Sequence, residues 1–551
     1  VEKNTEKEPP PMSICGLQTT DETWYSSGKK APLFEGLGVL SFPISTKSDL
    51  AQKYFNQGLI LAYGFNFGEA ARSFYYASQL DPDCAMCYWG YAFVLGPNYN
   101  NRMIAENNEK AFDAVQKALE LSDKGNEKER ALINALANRY TKNFSEKRLE
   151  LDQGYATAKM KVFMRFPHDP DIGTLYADAL MNIHPWDLWE KNGTPKKETL
   201  QILKVLKTAI KNSPMHPGAH HLYIHAVEAS KNPEIGLESA RILDEGIVPA
   251  AGHLVHMPSH IYIHVGEYHK GTLANIKAVA VDSAYVTNCH AQGVYPLTYY
   301  PHNYHFMAAT ATLEGNSHWA ILAAQKVSEL TAFEIMKQKE WTTLQHYFVI
   351  PFYVYVKLGK WDMILQRDQP LDTLTYPSAV KHYARGLAYL GKGNLKKAED
   401  ELEKLDKLME LKELKELKIW ENNSIYSLVE IAQRVLRGEL FASQNKFTEA
   451  IIQLKKAVQI EDQLSYSEPP DWFFSVRHHL GAVQIEAEKY EDAIQTLEED
   501  LKNFPKNGWA LHGLRLAYKN LGETEKAKEM EDKLSMIWST ADIQISSSRI
   551  K

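Results

Sequence analysis

Leu480 returns as Leu514 and Ala493 as Ala527, each 34 residues further along the chain. A step of that length constrains the fold more than any other feature. It marks a supersecondary unit that cannot bury its apolar face alone and must stack on the next. The register begins early. In "AQKYFNQGLILAYGFNFGEAARSFYYASQLDP" (51–82), Gly58, Ala70, Phe74, Ala77 and Pro82 occupy a small, small, aromatic, small and terminating position. Gly386, Tyr389 and Ala398 mark another copy, and Gly438, Phe441, Ala450 and Ala457 a further one. Gly481, Pro505 and Tyr518 complete the C-terminal copies. Small residues let antiparallel helices approach closely, and proline ends the second helix of a pair. Alternating β-branched runs are scarce, which argues against a sheet.

The pattern resembles the tetratricopeptide repeat, and the resemblance implies an all-α, helix-hairpin superhelix (an α-solenoid). We expect it to run from about residue 48 to 537. Residues 1–47 read as an extended or disordered segment, 48–216 as N-terminal repeats, and 217–360 as His-rich central repeats. Residues 361–537 read as C-terminal repeats and 538–551 as a tail. "GEYHKG" (266–271), "GNSHWA" (315–320) and "GKWDM" (359–363) read as the turns inside successive pairs. Such a superhelix presents a concave surface lined by the first helix of each pair.

The central repeats load that surface with imidazoles. With Gly266 as turn glycine, His253, His256, His260 and His264 fall at positions 2, 5, 9 and 13 of their repeat. Pro258 breaks the helical ladder, so the helix should begin there, with His253 and His256 on its approach. Likewise Pro217 as position 1 puts His221, His225 and Glu228 at 5, 9 and 12. His302 and His305 take positions 2 and 5 of the following repeat, and His346 position 2 of the next. The first repeat has Gln52, Phe55, Leu59 and Ala62 in these places, so the histidines are confined to the middle of the chain. His220 should point away from the groove, because adjacent helical positions diverge by roughly 100°.

Histidine is the commonest metal ligand, and i,i+4 pairs such as His221/His225 and His256/His260 suit a shared ion. His302/His305 offers the i,i+3 alternative. The expected ligands are therefore His221, His225, His256, His260, His302 and His305, with Glu228 as an oxygen ligand or general base. An imidazole-rich, carboxylate-poor set points to zinc or copper, then iron. His253, His264, His346, Asp187, Tyr223 and Tyr262 are further groove candidates. Asp187 sits in "HPWDLW", where Trp186 and Trp189 read as wedges between repeats. The same groove would equally serve as a packing surface, or take a small-molecule or peptide ligand.

A second resemblance is narrower. "CAMCYWG", "HLYIHAVEAS", "HMPSHIYIHVGEY" and "HNYHF" look like a set found together in bacterial tetratricopeptide-repeat proteins, often exported. The match runs from about residue 55 to 320, and this chain has Phe67 where such proteins often carry histidine. The resemblance implies architecture and candidate residues but no reaction. With the non-Met first residue and a charged, proline-rich opening, it leads us to expect a periplasmic or extracellular location. The sequons at Asn143, Asn192 and Asn422 permit that location and do no more. Cys15, Cys84, Cys87 and Cys289 are too few for a disulfide scaffold, though one or two bridges are open to them, and Cys84, at a repeat boundary, reads as a disulfide or a buried thiol. A net charge of −7 argues against a nucleic-acid groove, and the chain lacks the long apolar run of a membrane span. Two classes stay open: a metal-dependent hydrolase or oxidoreductase, and a non-enzymatic scaffold whose groove takes a peptide, glycan or neighbouring subunit.

Overall fold

The structure, a computed structural model, describes residues 22–145, 147–289, 294–338, 341–367 and 373–551. Cys15 and the side chain of Cys289 lie outside the described residues. Paired antiparallel helices fill the chain, among them Asp49–Tyr63 with Phe67–Leu80, and Tyr300–Leu313 with Ser317–Glu329. Ile425–Ser443 with Phe447–Glu461 and Gly508–Asn520 with Thr524–Ile537 continue the pattern. The strands among the described residues are two short antiparallel ones, Lys418–Ile419 and Asn423–Ser424. The fold is thus the expected all-α, tetratricopeptide-like superhelix. No helix of the described residues is long and apolar enough to cross a membrane.

Local chemistry explains the hairpins. The small positions are contact points: a Cβ on Gly58 would stand 2.9 Å from the Phe74 ring, and one on Gly438 would stand 2.8 Å from Leu454. Phe74 is fully buried, worth about 2–3 kcal/mol of transfer free energy. Within each pair the turn is built from a left-handed residue followed by a cap. Gly315 takes φ +76°, and Asn316 then accepts a hydrogen bond from Trp319 N–H. Asparagine caps recur at Asn66, Asn394 and Asn507, each contributing about 1 kcal/mol. Gly266 and Gly359 adopt the same left-handed conformation, as the turn reading requires.

The superhelix closes on itself. Tyr268 Oη donates to Pro505 O at 2.8 Å, and Trp509 Nε1 donates to Thr312 O at 3.1 Å. The segment 462–476, between two helix pairs, lies over the central repeats, where His264 Nε2 meets Glu468 at 2.5 Å and Tyr466 Oη at 3.1 Å. Residues 542–551 also pack back. The Asp542 carboxylate accepts Ser317 and His318 N–H groups, and Arg549 Nη1 donates to Glu486 at 3.0 Å. At the other end Tyr54 Oη donates to Ala31 O, and Ala250 N–H donates to Gly36 O. The extended segment before residue 48 is therefore tethered where it is described.

Two large apolar cores result. One gathers residues from Ala31 to Tyr299, the other from Ile263 to Trp509. They meet inside the His-rich stretch.

Candidate functional site

Three elements deliver the imidazoles. The helix Pro217–Val227 carries His221 and His225. The chain then forms a short helix, Gly252–His256, and restarts at Pro258 in Pro258–Val265. This break, at the proline the sequence pointed to, swings His253 beside His221 while His256 stays one turn from His260. Tyr300–Leu313 adds His302.

Two sets of three histidines form: His221, His225 and His253, and His256, His260 and His302, the ligand atoms of each lying within 4.8 Å of one another. All are buried except His302, which is partly exposed. The Nδ1 atoms of four of them are committed to acceptors. His221 Nδ1 meets Tyr63 O at 2.5 Å, and His225 Nδ1 meets Glu228 Oε1 at 2.8 Å. His256 Nδ1 meets Asn275 Oδ1 at 2.6 Å, and His260 Nδ1 meets the second Glu228 oxygen. Asn275 is held the right way round because its Nδ2 donates to Gly271 O. A carbonyl or carboxylate oxygen only accepts, so each contact places the proton on Nδ1 and leaves the Nε2 lone pair bare. The Nε2 atoms of His221 and His225 and both nitrogens of His253 have no hydrogen-bond partner. In the second set, His256 Nε2 lies 2.8 Å from His260 Nε2 and 3.2 Å from His302 Nε2.

Electrostatics agrees with this protonation pattern. Burial, and then neighbouring imidazoles, hold His221, His253, His256, His260 and His302 well below the ordinary histidine value. They are neutral at pH 7. Buried neutral imidazoles with converging lone pairs repel one another, and unpaired buried nitrogens cost free energy. Nitrogens around a tetrahedral ion at zinc–imidazole bond lengths lie about 3.3 Å apart. The His256–His302 separation of 3.2 Å is close to that.

The remaining candidates divide. Glu228, expected as a ligand or base, is buried, and each of its oxygens accepts from an imidazole. His305 does not join the cluster. It stacks on Phe473 at 4.9 Å and stands 5.5 Å from His346, because one turn along its helix carries it towards the next repeat. His346 Nδ1 meets Tyr376 Oη, and burial pushes its imidazole down to about 3. His264 is taken by Glu468 and Tyr466. Burial pulls it down, but the Glu468 carboxylate outweighs burial and leaves it above the ordinary value. Tyr223 and Tyr262 face away from the cluster, towards Lys207 and Asp244 respectively. Each lies two residues from a cluster histidine, about 200° round the helix. Asp187 pairs with Lys196, with its side chain 61% exposed. His220 points away as expected, to Pro214 O and Ser239 Oγ. Trp186 does reach the site, its ring 5.6 Å from His225.

Several contributors carry no motif. Tyr63 supplies its backbone carbonyl from 158 residues away. Phe65, at φ +55°, lays its ring 4.5 Å from His221 and 5.5 Å from His253. A cleft lined by Phe65, Asn66, Glu69, Arg72, Asn98 and Tyr299 opens beside the first set. Phe306 packs on His256 and His260. Phe67 packs against Phe65 and Phe93. Elsewhere, Cys84 and Cys87 are joined by a disulfide.

No protein-family model matches the chain, and no curated protein matches it. Solved structures similar to it include the human IFIT1 dimer with m7Gppp-AAAA, at 14% identity over 89% of this chain and 91% of that one, TM-score 0.33. The APC/C hetero-tetramer Cut9–Hcn1 follows at 13% identity over 89% and 74%, TM-score 0.30. Yeast Tom70 follows at 12% identity over 88% and 93%, TM-score 0.25.

Proposed function

We propose that this protein is a helical-repeat metalloprotein whose closed superhelix holds a transition metal between imidazoles of successive repeats. One observation carries the reading: Nε2 lone pairs converge in a buried space while Nδ1 protons are fixed by Tyr63, Glu228 and Asn275. This is the orientation that outer partners impose on metal-bound histidines. Three imidazoles leave a coordination position open, as catalytic sites do and structural ones do not. A small molecule would have to enter past Phe65 and Tyr299, which line the cleft and pack on the first set. Glu228 acts as a positioning residue, since both its oxygens are engaged. With no uncommitted carboxylate in either set among the described residues, redox chemistry is favoured over base-assisted hydrolysis. An all-imidazole set suits copper, with zinc next. The proposed setting is periplasmic or extracellular, supported by the Cys84–Cys87 bridge.

The test is metal analysis of tag-free protein purified without chelator, beside the variant with His225→Ala and His260→Ala together. Stoichiometric copper or zinc in the parent is expected, lost in the variant together with a lower melting temperature. A parent free of stoichiometric copper, zinc and iron would overturn the reading and leave the cluster as a ligand or subunit surface.

A further inference from the structure

The six imidazoles are too many for one ion. Zinc and copper take about four protein ligands at most, and four imidazoles would leave two unpaired nitrogens buried. The cluster is also divided. His221, His225 and His253 form one set, and His256, His260 and His302 the other. They rest on different parts of the fold. Phe65 and Tyr299, which pack on the first set, belong to the N-terminal core, whereas Phe306, which packs on the second, belongs to the C-terminal core. Between them stands Glu228, accepting from His225 with one oxygen and from His260 with the other. A carboxylate so placed orients one ligand of each set and counters the charge of both halves at once.

We infer that the chain binds two transition-metal ions, one in each three-histidine set, joined through the hydrogen-bonded bridge His225–Glu228–His260. This rests on the metalloprotein reading above. Charge narrows the ion. Glu228 is the carboxylate that touches the two sets, so two monovalent ions leave a net charge of +1 and two divalent ions +3. Burying the smaller charge costs less. Cuprous ions, content with three imidazoles, fit both sets.

The experiment loads metal-free protein with excess Cu+ without oxygen, removes unbound ion, and counts copper per chain. Two ions are expected in the parent, one in His253→Leu, one in His302→Leu, and none in the double variant. One ion per chain, lost in either single variant, would overturn the inference and leave the metalloprotein reading standing. No bound copper would overturn the inference, the metalloprotein reading falling with it only if the purified parent also holds no stoichiometric zinc or iron. Two ions unmoved by either substitution would place them elsewhere and also overturn the inference. Where a variant fails to fold by circular dichroism, X-ray absorption of the copper-loaded parent decides. Three imidazole nitrogens per copper are expected, and four per copper would overturn the inference.

Discussion

His253 offers the cleanest perturbation, because neither of its ring nitrogens has a hydrogen-bond partner and it is only 2% exposed. Burial first, then the positive charge that His221, His256, His225 and His302 would each carry if protonated, holds it neutral in the folded chain. In the unfolded chain it titrates near 6.5. The folded value is depressed, so the unfolded state binds more protons on acidification, and stability falls as pH drops below about 6.5. Between pH 7.0 and 5.5 this one imidazole stabilises the unfolded state by about 1.2 kcal/mol. The parent alone would not isolate that amount. Burial pushes Asp282 up to about 7 and Glu461 up to about 8, and carboxyls raised in the fold gain stability over the same window. The difference between the parent and His253→Leu removes these common contributions. Urea unfolding followed by tryptophan fluorescence, both proteins metal-free in chelator, should show the variant losing about 1.2 kcal/mol less than the parent across this range. Equal losses within about 0.3 kcal/mol would refute the claim that His253 is held neutral in a dry cluster.

Three further outcomes follow from the geometry. Glu228→Gln should weaken metal binding by about 10–100-fold in a competition assay, because one of the two accepting oxygens becomes an NH2 that only donates and would face the Nδ1–H of His225 or His260. Gly266→Ala should cost about 2 kcal/mol or more in urea unfolding, since φ is +74° and the new Cβ would meet Pro505 O at 2.4 Å. Arg549→Ala should cost about 3–5 kcal/mol by leaving Glu439 buried without its guanidinium, and pairing it with Glu439→Gln should recover part of that loss in a double-mutant cycle.

The repeats were legible because close packing demands small residues at fixed steps, which is why Gly58, Gly438 and the 34-residue return at Ala493 and Ala527 marked hairpins correctly. The histidine pairs were legible for the same reason, since i,i+4 spacing alone sets them on one helical face. What spacing could not decide was reach. His302 and His305 look equivalent at i,i+3, yet only the first arrives, because the rotation and rise between them place the second against Phe473. Tyr223 and Tyr262 sit in histidine-rich motifs but occupy the opposite face. The contributions of Tyr63 O, Asn275 and Phe65 depend on long-range packing and carry no local pattern. Nor does the segment 462–476 advertise that it lies over the groove, which turns an expected open surface into a buried one.

That return of the chain upon itself changes how the molecule should come apart. A linear stack of repeats frays from its ends, one unit at a time, and a guest on its inner wall escapes through whichever unit opens first. Here Tyr268 to Pro505, Trp509 to Thr312 and Asp542 to the Ser317–Glu329 helix tie distant units together like a clasp on a bracelet. Opening the stretch from Tyr268 to Ser317 then requires breaking contacts more than 190 residues apart in sequence. Amide hydrogens around the cluster would exchange with solvent only through concerted openings. The residence time of the proposed ions would then depend on the clasp as well as on their ligands.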